Sequence, residues 1–240
     1  MPEIENPVIV DFPLRGEWWA SNTPAERVPS HGTNYFAQRY AFDFVRMDPT
    51  STWFYPGGVR ALLRHVSVGI DVTKFFCWDA PVRSVADGRV IAAADGWPDR
   101  SRVQLFWEFV RPSVIPIHIR QGGDYRPLAG NYVIVEGADG VAIYGHLRAG
   151  SVRVAAGDRI DAGAVLGTVG NSGNSTMPHL HFHLMDGPDP MTARGLPCAF
   201  RRYERWSGDR WETVERGVPG AMERIRASCS GGGALESRDS

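Results

Sequence analysis

Three things are scarce in this 240-residue chain, and each scarcity excludes a class of protein. Cys77, Cys198 and Cys229 are its only cysteines, an odd number with no Cys-x-x-Cys pair, which argues against both a disulfide framework and a thiolate zinc site. No run of about 18 apolar residues occurs, so no transmembrane helix is expected. Charge of either sign is not in excess: 26 basic and 27 acidic residues give a net charge of −1, and no global field draws the chain to nucleic acid or to an anionic membrane. The start, Met1-Pro-Glu-Ile-Glu-Asn-Pro, lacks the basic head and apolar core of a secretory signal, so an unexported, cytoplasmic chain is the expectation. Its length suits one large domain or two small ones. We expect one domain over residues 7–206 and a polar C-terminal extension over 207–240, whose Gly-rich, charged last dozen residues cannot bury a core and should be disordered.

Histidine, by contrast, is concentrated. Of seven in the chain, His179, His181 and His183 fall within five residues, in Asn171-Ser-Gly-Asn-Ser-Thr-Met-Pro-His-Leu-His-Phe-His-Leu184. At a period of two, a strand points the three imidazoles to one face and Leu180, Phe182 and Leu184 to the other. Neutral imidazole is a common zinc ligand, and a strand holds alternate side chains rigidly. A His-rich surface strand is the plain alternative; apolar residues at every opposite position favour a metal or proton-transfer site.

The remaining chain reads as mainly β. Residues 7–20 suggest an edge strand, and Gln38 to Val45 a strand in which Phe42 and Phe44 flank Asp43. A carboxylate in so apolar a run needs a metal or a cationic partner, unless it lies on the wet face. Residues 49–71 read as an insertion with a helix-like patch from Val59 to Val66. Ala80 to Ile91 reads as a hairpin over Asp87-Gly88, and Val152 to Gly170 as further short valine-rich strands. Trp97 to Leu128, rich in proline and aromatics, reads as a long decorated loop. Residues 130–147 form a second expected hairpin over Gly137-Ala-Asp-Gly140, with His146 near the end of its second strand. A lone histidine there is as readily a satisfied half-buried residue as a catalyst.

The blocks Ala80-Pro-Val-x-x-x-Ala-Asp-Gly-x-Val90, Tyr144-Gly-His-Leu147, Gly157-Asp-x-Ile-x-Ala-Gly-x-x-Leu-Gly, Gly170-Asn-Ser-Gly-Asn-Ser-Thr176 and Pro178-His-Leu-His-Phe182 resemble, in this order, the M23 (lysostaphin-type) zinc metallopeptidases. The resemblance spans about residues 28–186 and implies a compact antiparallel β-sandwich or barrel-like fold with long loop insertions. It further implies Zn²⁺ as cofactor and a peptidoglycan peptide, or another Gly-rich peptide, as substrate. The second histidine of His-x-His, here His181, is the implied metal ligand, while His179 and His146 are implied to flank the attacking water and the oxyanion. The two other ligands come in the family from a His-x-x-x-Asp motif, from which this sequence departs. One candidate pair is His65 and Asp71, separated by five residues; the other is His31 and Asp43, in Ser30-His-Gly-Thr33 and Tyr40-Ala-Phe-Asp43. The second resembles a branch of the family with an insertion before the Pro-Val block, and we favour it. Two imidazoles and one carboxylate leave one tetrahedral position for chemistry. Arg39, Asn131 and His183 are candidate supporting or substrate-contacting groups. Two other readings stand beside the endopeptidase: a non-catalytic module that binds cell-wall peptide, and a histidine phosphocarrier of related β architecture.

Overall fold

In a strand that alternates apolar and polar residues, one face becomes core and the other is left for chemistry. That division governs this molecule, whose computed structural model describes residues 4–104 and 123–227, the side chains of residues 59 and 61 excepted. In chain order, the elements begin with β1 (Val8–Val10), β2 (Glu17–Asn22), β3 (Phe42–Val45) and helix α1 (Gly58–Ser67). There follow β4 (Ile70–Asp71), β5 (Pro81–Arg83), β6 (Gly88–Ala94), β7 (Arg102–Val103) and the single-turn helix α2 (Arg126–Ala129). The hairpin β8 (Asn131–Gly137) and β9 (Gly140–Leu147) precedes β10 (Arg159–Ile160), β11 (Val165–Thr168) and β12 (Leu180–Met185). β13 (Gly195–Leu196), β14 (Cys198–Trp206), β15 (Trp211–Gly217) and β16 (Arg224–Ala227) complete the described chain.

The main sheet runs β1-β14-β16-β2-β3-β12-β9-β8-β6-β10, with β13 beside β12 and β15 beside β14. All its pairings are antiparallel except β1 with β14. The mainly β class is as expected, but the described strands form no closed barrel. Its centre is the β3–β12–β9 triplet. There Phe42, Phe44, Phe182, Leu180 and Leu184 point inward and are at most 3% exposed, joined by Phe12 and Phe200. Burial of each such side chain stabilises the fold by roughly 2–3 kcal/mol. The rings also meet in preferred geometries, Phe12 edge-on to Phe44 and Phe200 at centroid distances of 5.2 and 5.1 Å.

Several sequence expectations need correction. Residues 80–91 are not a hairpin: β5 pairs with β11 and β6 with β8 and β10, because both segments find longer apolar partners elsewhere than across their own turn. The strand around Asp43 begins only at Phe42. Before it, residues 35–40 form a tight turn in which Phe36 and Ala37 adopt left-handed backbone at φ of 60° and 55°. Residues 7–20 supply two strands rather than one. The sheet also continues past residue 206, since β16 lies between β14 and β2. Its alternation is hidden by arginines whose guanidinium groups stack on tryptophans, as with Arg226 over Trp211 at 4.3 Å. Most of the expected long loop, residues 105–122, and the last dozen residues lie outside the described residues. No described helix is long and apolar enough to cross a membrane.

Candidate metal and catalytic site

The register places the chemistry. Across the β3–β12 ladder His181 pairs with Asp43, and across β12–β9 it pairs with Gly145, so the face opposite the phenylalanine core gathers both functional groups. Gly145 leaves the space that the His181 ring uses: a Cβ there would lie 3.6 Å from His181 Cβ and 3.2 Å from the Ala129 carbonyl.

Asp43 is the hub. Its Oδ2 lies 2.9 Å from His31 Nε2, its Oδ1 lies 2.9 Å from His181 Nδ1, and His179 Nε2 stands 3.4 Å from Oδ1. Asn22, on β2, donates its side-chain amide to Oδ2 at 2.6 Å. Burial opposes ionisation of this carboxyl, yet the surrounding His31, His179 and His181 outweigh it and hold its pKa well below the ordinary carboxylate range. Asp43, His146, His179 and His181 are each 7–8% exposed, and His183 is fully buried. The cleft into which Asp43, His146, His179 and His181 open, about 270 Å³, is also lined by Phe36, Gln38, Leu128, Ala129, Asn174 and Thr176.

The outer nitrogens fix the tautomers. His146 Nδ1 lies 2.9 Å from the Ser172 carbonyl and His179 Nδ1 lies 2.7 Å from the Met177 carbonyl. A carbonyl accepts only, so each Nδ1 carries the proton and donates it, and each neutral ring keeps its Nε2 lone pair. His146 reaches this pose with a left-handed backbone, φ of 60°, a conformation that costs a non-glycine residue roughly 1–3 kcal/mol and is concentrated at functional sites. Ser172 holds the bend, donating Oγ to the Leu147 carbonyl and accepting from Asn131 N. Burial, followed by the charges of His179 and His181, pushes the His146 pKa well below that of free imidazole. For His179 burial works the same way, but Asp43 overcomes it and the pKa is raised.

Two triads have nitrogen and oxygen atoms within 4.8 Å of one another: His31, Asp43 and His181, and His146, His179 and His181. The first offers two imidazoles and a carboxylate, the donor set of an open zinc site. His179 Nε2 faces the Asp43 carboxylate at 3.4 Å, a pair that either a proton on Nε2 or a bound cation satisfies, and the open donor set beside it suits the cation. The residues present therefore fit a divalent metal.

Among the residues singled out from sequence, His31, Asp43, His146, His179 and His181 come together. His183 sits behind them, its Nδ1 3.1 Å from His181 Nε2. Asn131 is buried away from the cleft and braces the strand ends next to His146, donating to the Leu147 and Trp97 carbonyls. Arg39 does not reach the cleft; its guanidinium donates to Asn34 at 3.0 Å. The other pair is not assembled: His65, on α1, meets Tyr55 Oη at 2.8 Å, and Asp71 accepts from Thr73 N and Oγ1. Sequence reasoning missed Asn22, which lies at the edge of a polar loop without a distinguishing pattern, and gave no role to Ser172, although it lies within the histidine-rich stretch.

Comparison with known proteins bears on these residues. Residues 116–193 match the model of peptidase family M23, a span that includes His146, His179, His181 and His183 and omits His31 and Asp43. Over 98 residues the chain is 37% identical to Endolysin 2638A of Staphylococcus phage 2638A, covering 40% of this chain and 20% of that protein. Over 105 residues it is 30% identical to glycyl-glycine endopeptidase ALE-1 of Staphylococcus capitis, covering 44% of this chain and 21% of that protein. The chain thus spans about a fifth of the length of the curated relatives it matches. Among solved structures, the catalytic domain of a prophage-encoded M23 protein from Enterococcus faecalis overlays with a TM-score of 0.37 at 16% identity, covering 82% of this chain and 92% of that one. The catalytic domain of lysostaphin from Staphylococcus simulans overlays with a TM-score of 0.35 at 19% identity, covering 75% and 88%. The resemblance read from the motifs is borne out: the chain carries the signature of peptidase family M23 over residues 116–193.

Proposed function

We propose that this protein is a zinc-dependent metalloendopeptidase that hydrolyses peptide bonds of peptidoglycan, in stem peptides or cross-bridges. The observation that carries the reading is the convergence on Asp43 of His31 and His181, with His179 and His146 beside them and a cleft open to all five. His31 through Nε2, Asp43 through its carboxylate and His181 through Nδ1 would hold the metal. When bound, zinc acts as a Lewis acid that polarises a scissile carbonyl and lowers the pKa of water to about 7.

The protein's own groups then divide the proton chemistry. His179, its Nδ1–H tied to the Met177 carbonyl, presents Nε2 as general base toward a water in the cleft. His146, neutral at rest, presents an acceptor at Nε2. It becomes a donor to the developing oxyanion or the leaving amine only after receiving a proton, and its ring centroid lies 4.7 Å from that of His179. With a metal on His181 Nδ1, the Nε2–H would donate to His183 Nδ1, 3.1 Å behind it. The glycyl-glycine specificity named for one relative makes a Gly-rich cross-bridge the first substrate to try.

The test is metal content and cleavage on one preparation. Close to one equivalent of zinc per chain and cleavage of a peptidoglycan-derived glycine peptide are expected. Zinc without cleavage of any cell-wall peptide would turn the reading to a binding module, and absence of zinc after gentle purification would overturn it.

A further inference from the structure

In a His-x-x-x-Asp motif three residues stand between the two ligands, and the short spacing itself holds them together. Here His31 and Asp43 lie 12 positions apart. A longer loop costs more entropy to close and fixes its ends less tightly, so another contact has to bring His31 back to Asp43. The hydrogen bonds identify it as Ser30.

Ser30 is 1% exposed, and its N, O and Oγ atoms are all engaged. Its N donates to the Arg39 carbonyl at 2.9 Å, and its carbonyl accepts from Arg27 Nε at 3.0 Å. The first of these bonds closes the loop: His31 directly follows one of its ends and Asp43 stands four residues beyond the other, which restores a short path between them. The turn so enclosed carries Phe36 and Ala37, buried in left-handed backbone, and Gln38, which lines the cleft. One bond thus seats both a ligand and part of the cleft wall.

The hydroxyl acts on the ring itself. Ser30 Oγ lies 3.1 Å from His31 Nδ1, while Nε2 faces Asp43 Oδ2 at 2.9 Å. Without a metal, Nε2 carries the proton that Asp43 accepts, and the hydroxyl donates to Nδ1. With Nε2 given to a metal, Nδ1 carries the proton and the hydroxyl accepts it; the Gln38 and Arg39 carbonyls stand at 3.4 and 3.5 Å to receive the hydroxyl's own hydrogen. A carbonyl, the partner of Nδ1 in His146 and His179, could serve only the second state.

We propose that Ser30 is a positioning residue of the metal site, whose backbone replaces the missing short spacing and whose hydroxyl holds the His31 ring toward Asp43 both before and after loading. The inference rests on the metal-site reading above and is tested by metal affinity, which does not depend on cleavage.

Competition against a chromophoric chelator measures that affinity. Ser30→Ala keeps the backbone bond and removes the hydroxyl, and its zinc affinity should fall about 10–100-fold. Thr33→Ala, in the same loop, removes a hydroxyl that accepts from Tyr35 N and takes no part in the His31 contacts, so its affinity should stay at the wild-type value. Equal losses in both variants assign the effect to a loosened loop and overturn the proposal, as does an unchanged affinity in Ser30→Ala. If Ser30→Ala loses affinity while the wild type cleaves no cell-wall peptide, the peptidase reading fails and the proposal stands. If the wild type cleaves and Ser30→Ala binds zinc as tightly, the reverse holds. A wild type that binds no zinc overturns both. Should Ser30→Ala not fold, the zinc-loaded wild type still decides by NMR: His31 Nδ1–H, held by Ser30, should give a slowly exchanging imidazole signal, and exchange as fast as that of free imidazole overturns the proposal.

Discussion

Asp43 and His181 are register partners on adjacent strands, and their Oδ1 and Nδ1 atoms meet at 2.9 Å. A ladder pair of this kind cannot be separated without breaking backbone hydrogen bonds, so the carboxylate and imidazole that line the cleft are fixed before any ligand arrives.

Asp43→Asn should therefore abolish zinc retention, whereas Asp71→Ala should leave it intact. The second change removes only the side-chain acceptor of a short turn, which costs about 1 kcal/mol. Zinc stoichiometry and thermal melting on both variants check this; the reverse ranking would move the site to His65 and Asp71.

His181→Ala should lose zinc and hydrolysis together, because one imidazole and one carboxylate hold zinc poorly. His146→Ala and His179→Ala should keep zinc while cleavage falls by roughly 10²–10⁴, the usual worth of general acid–base groups. Metal analysis beside peptide cleavage separates the two classes. Retention by His181→Ala with loss by the other two would invert the assignment.

His183 touches only His181 Nε2 among the site atoms, at 3.1 Å. His183→Phe should weaken zinc affinity about 10–100-fold while the turnover of fully loaded enzyme changes little, since it orients a ligand and meets no substrate. Competition against a chromophoric chelator measures the affinity. Unchanged affinity would leave His183 as packing alone.

Metal-free protein should lose stability in acid. Burial lowers the pKa values of His146, His181, His183 and His65, so the unfolded chain takes up protons first as the pH falls below about 6.5. The lowered pKa of Asp43 adds stability above its unfolded value, and this is lost as the pH falls further through the folded one. His179 acts in the opposite sense: its raised pKa gives stability below about 6.5, which is lost as the pH rises through the folded value. With four groups against one in the first window, the melting temperature of the chelated protein should fall between about pH 7.5 and 5.5. A flat or rising profile would show that these four buried histidines do not govern it.

How legible was this in the sequence? The period-two histidines and the Phe42-Asp43-Phe44 alternation were, because a strand's two faces are written in consecutive residues. That Asp43 faces His181 was not, since strand pairing across 138 residues leaves no local mark. The misread hairpin at residues 80–91 has the same origin: the Asp-Gly turn is a true local signal, but β5 and β6 gain more by joining β11 and β8. Asn22 was invisible because an amide that positions a carboxylate looks, in sequence, like any loop asparagine. The strands after residue 206 were hidden by arginines and tryptophans whose packing stands in for plain apolar alternation.

The pairing of β16 with β2 ties Arg224 to Glu17 across a separation of 207 residues, and β2 is the strand that flanks β3 and carries Asn22. Loop closure on that scale is entropically slow, so β2 gains its outer partner late in folding. Until then the face that gathers Asp43 and His181 lacks its outer support, so metal uptake, on the reading proposed above, belongs to the late stage of folding.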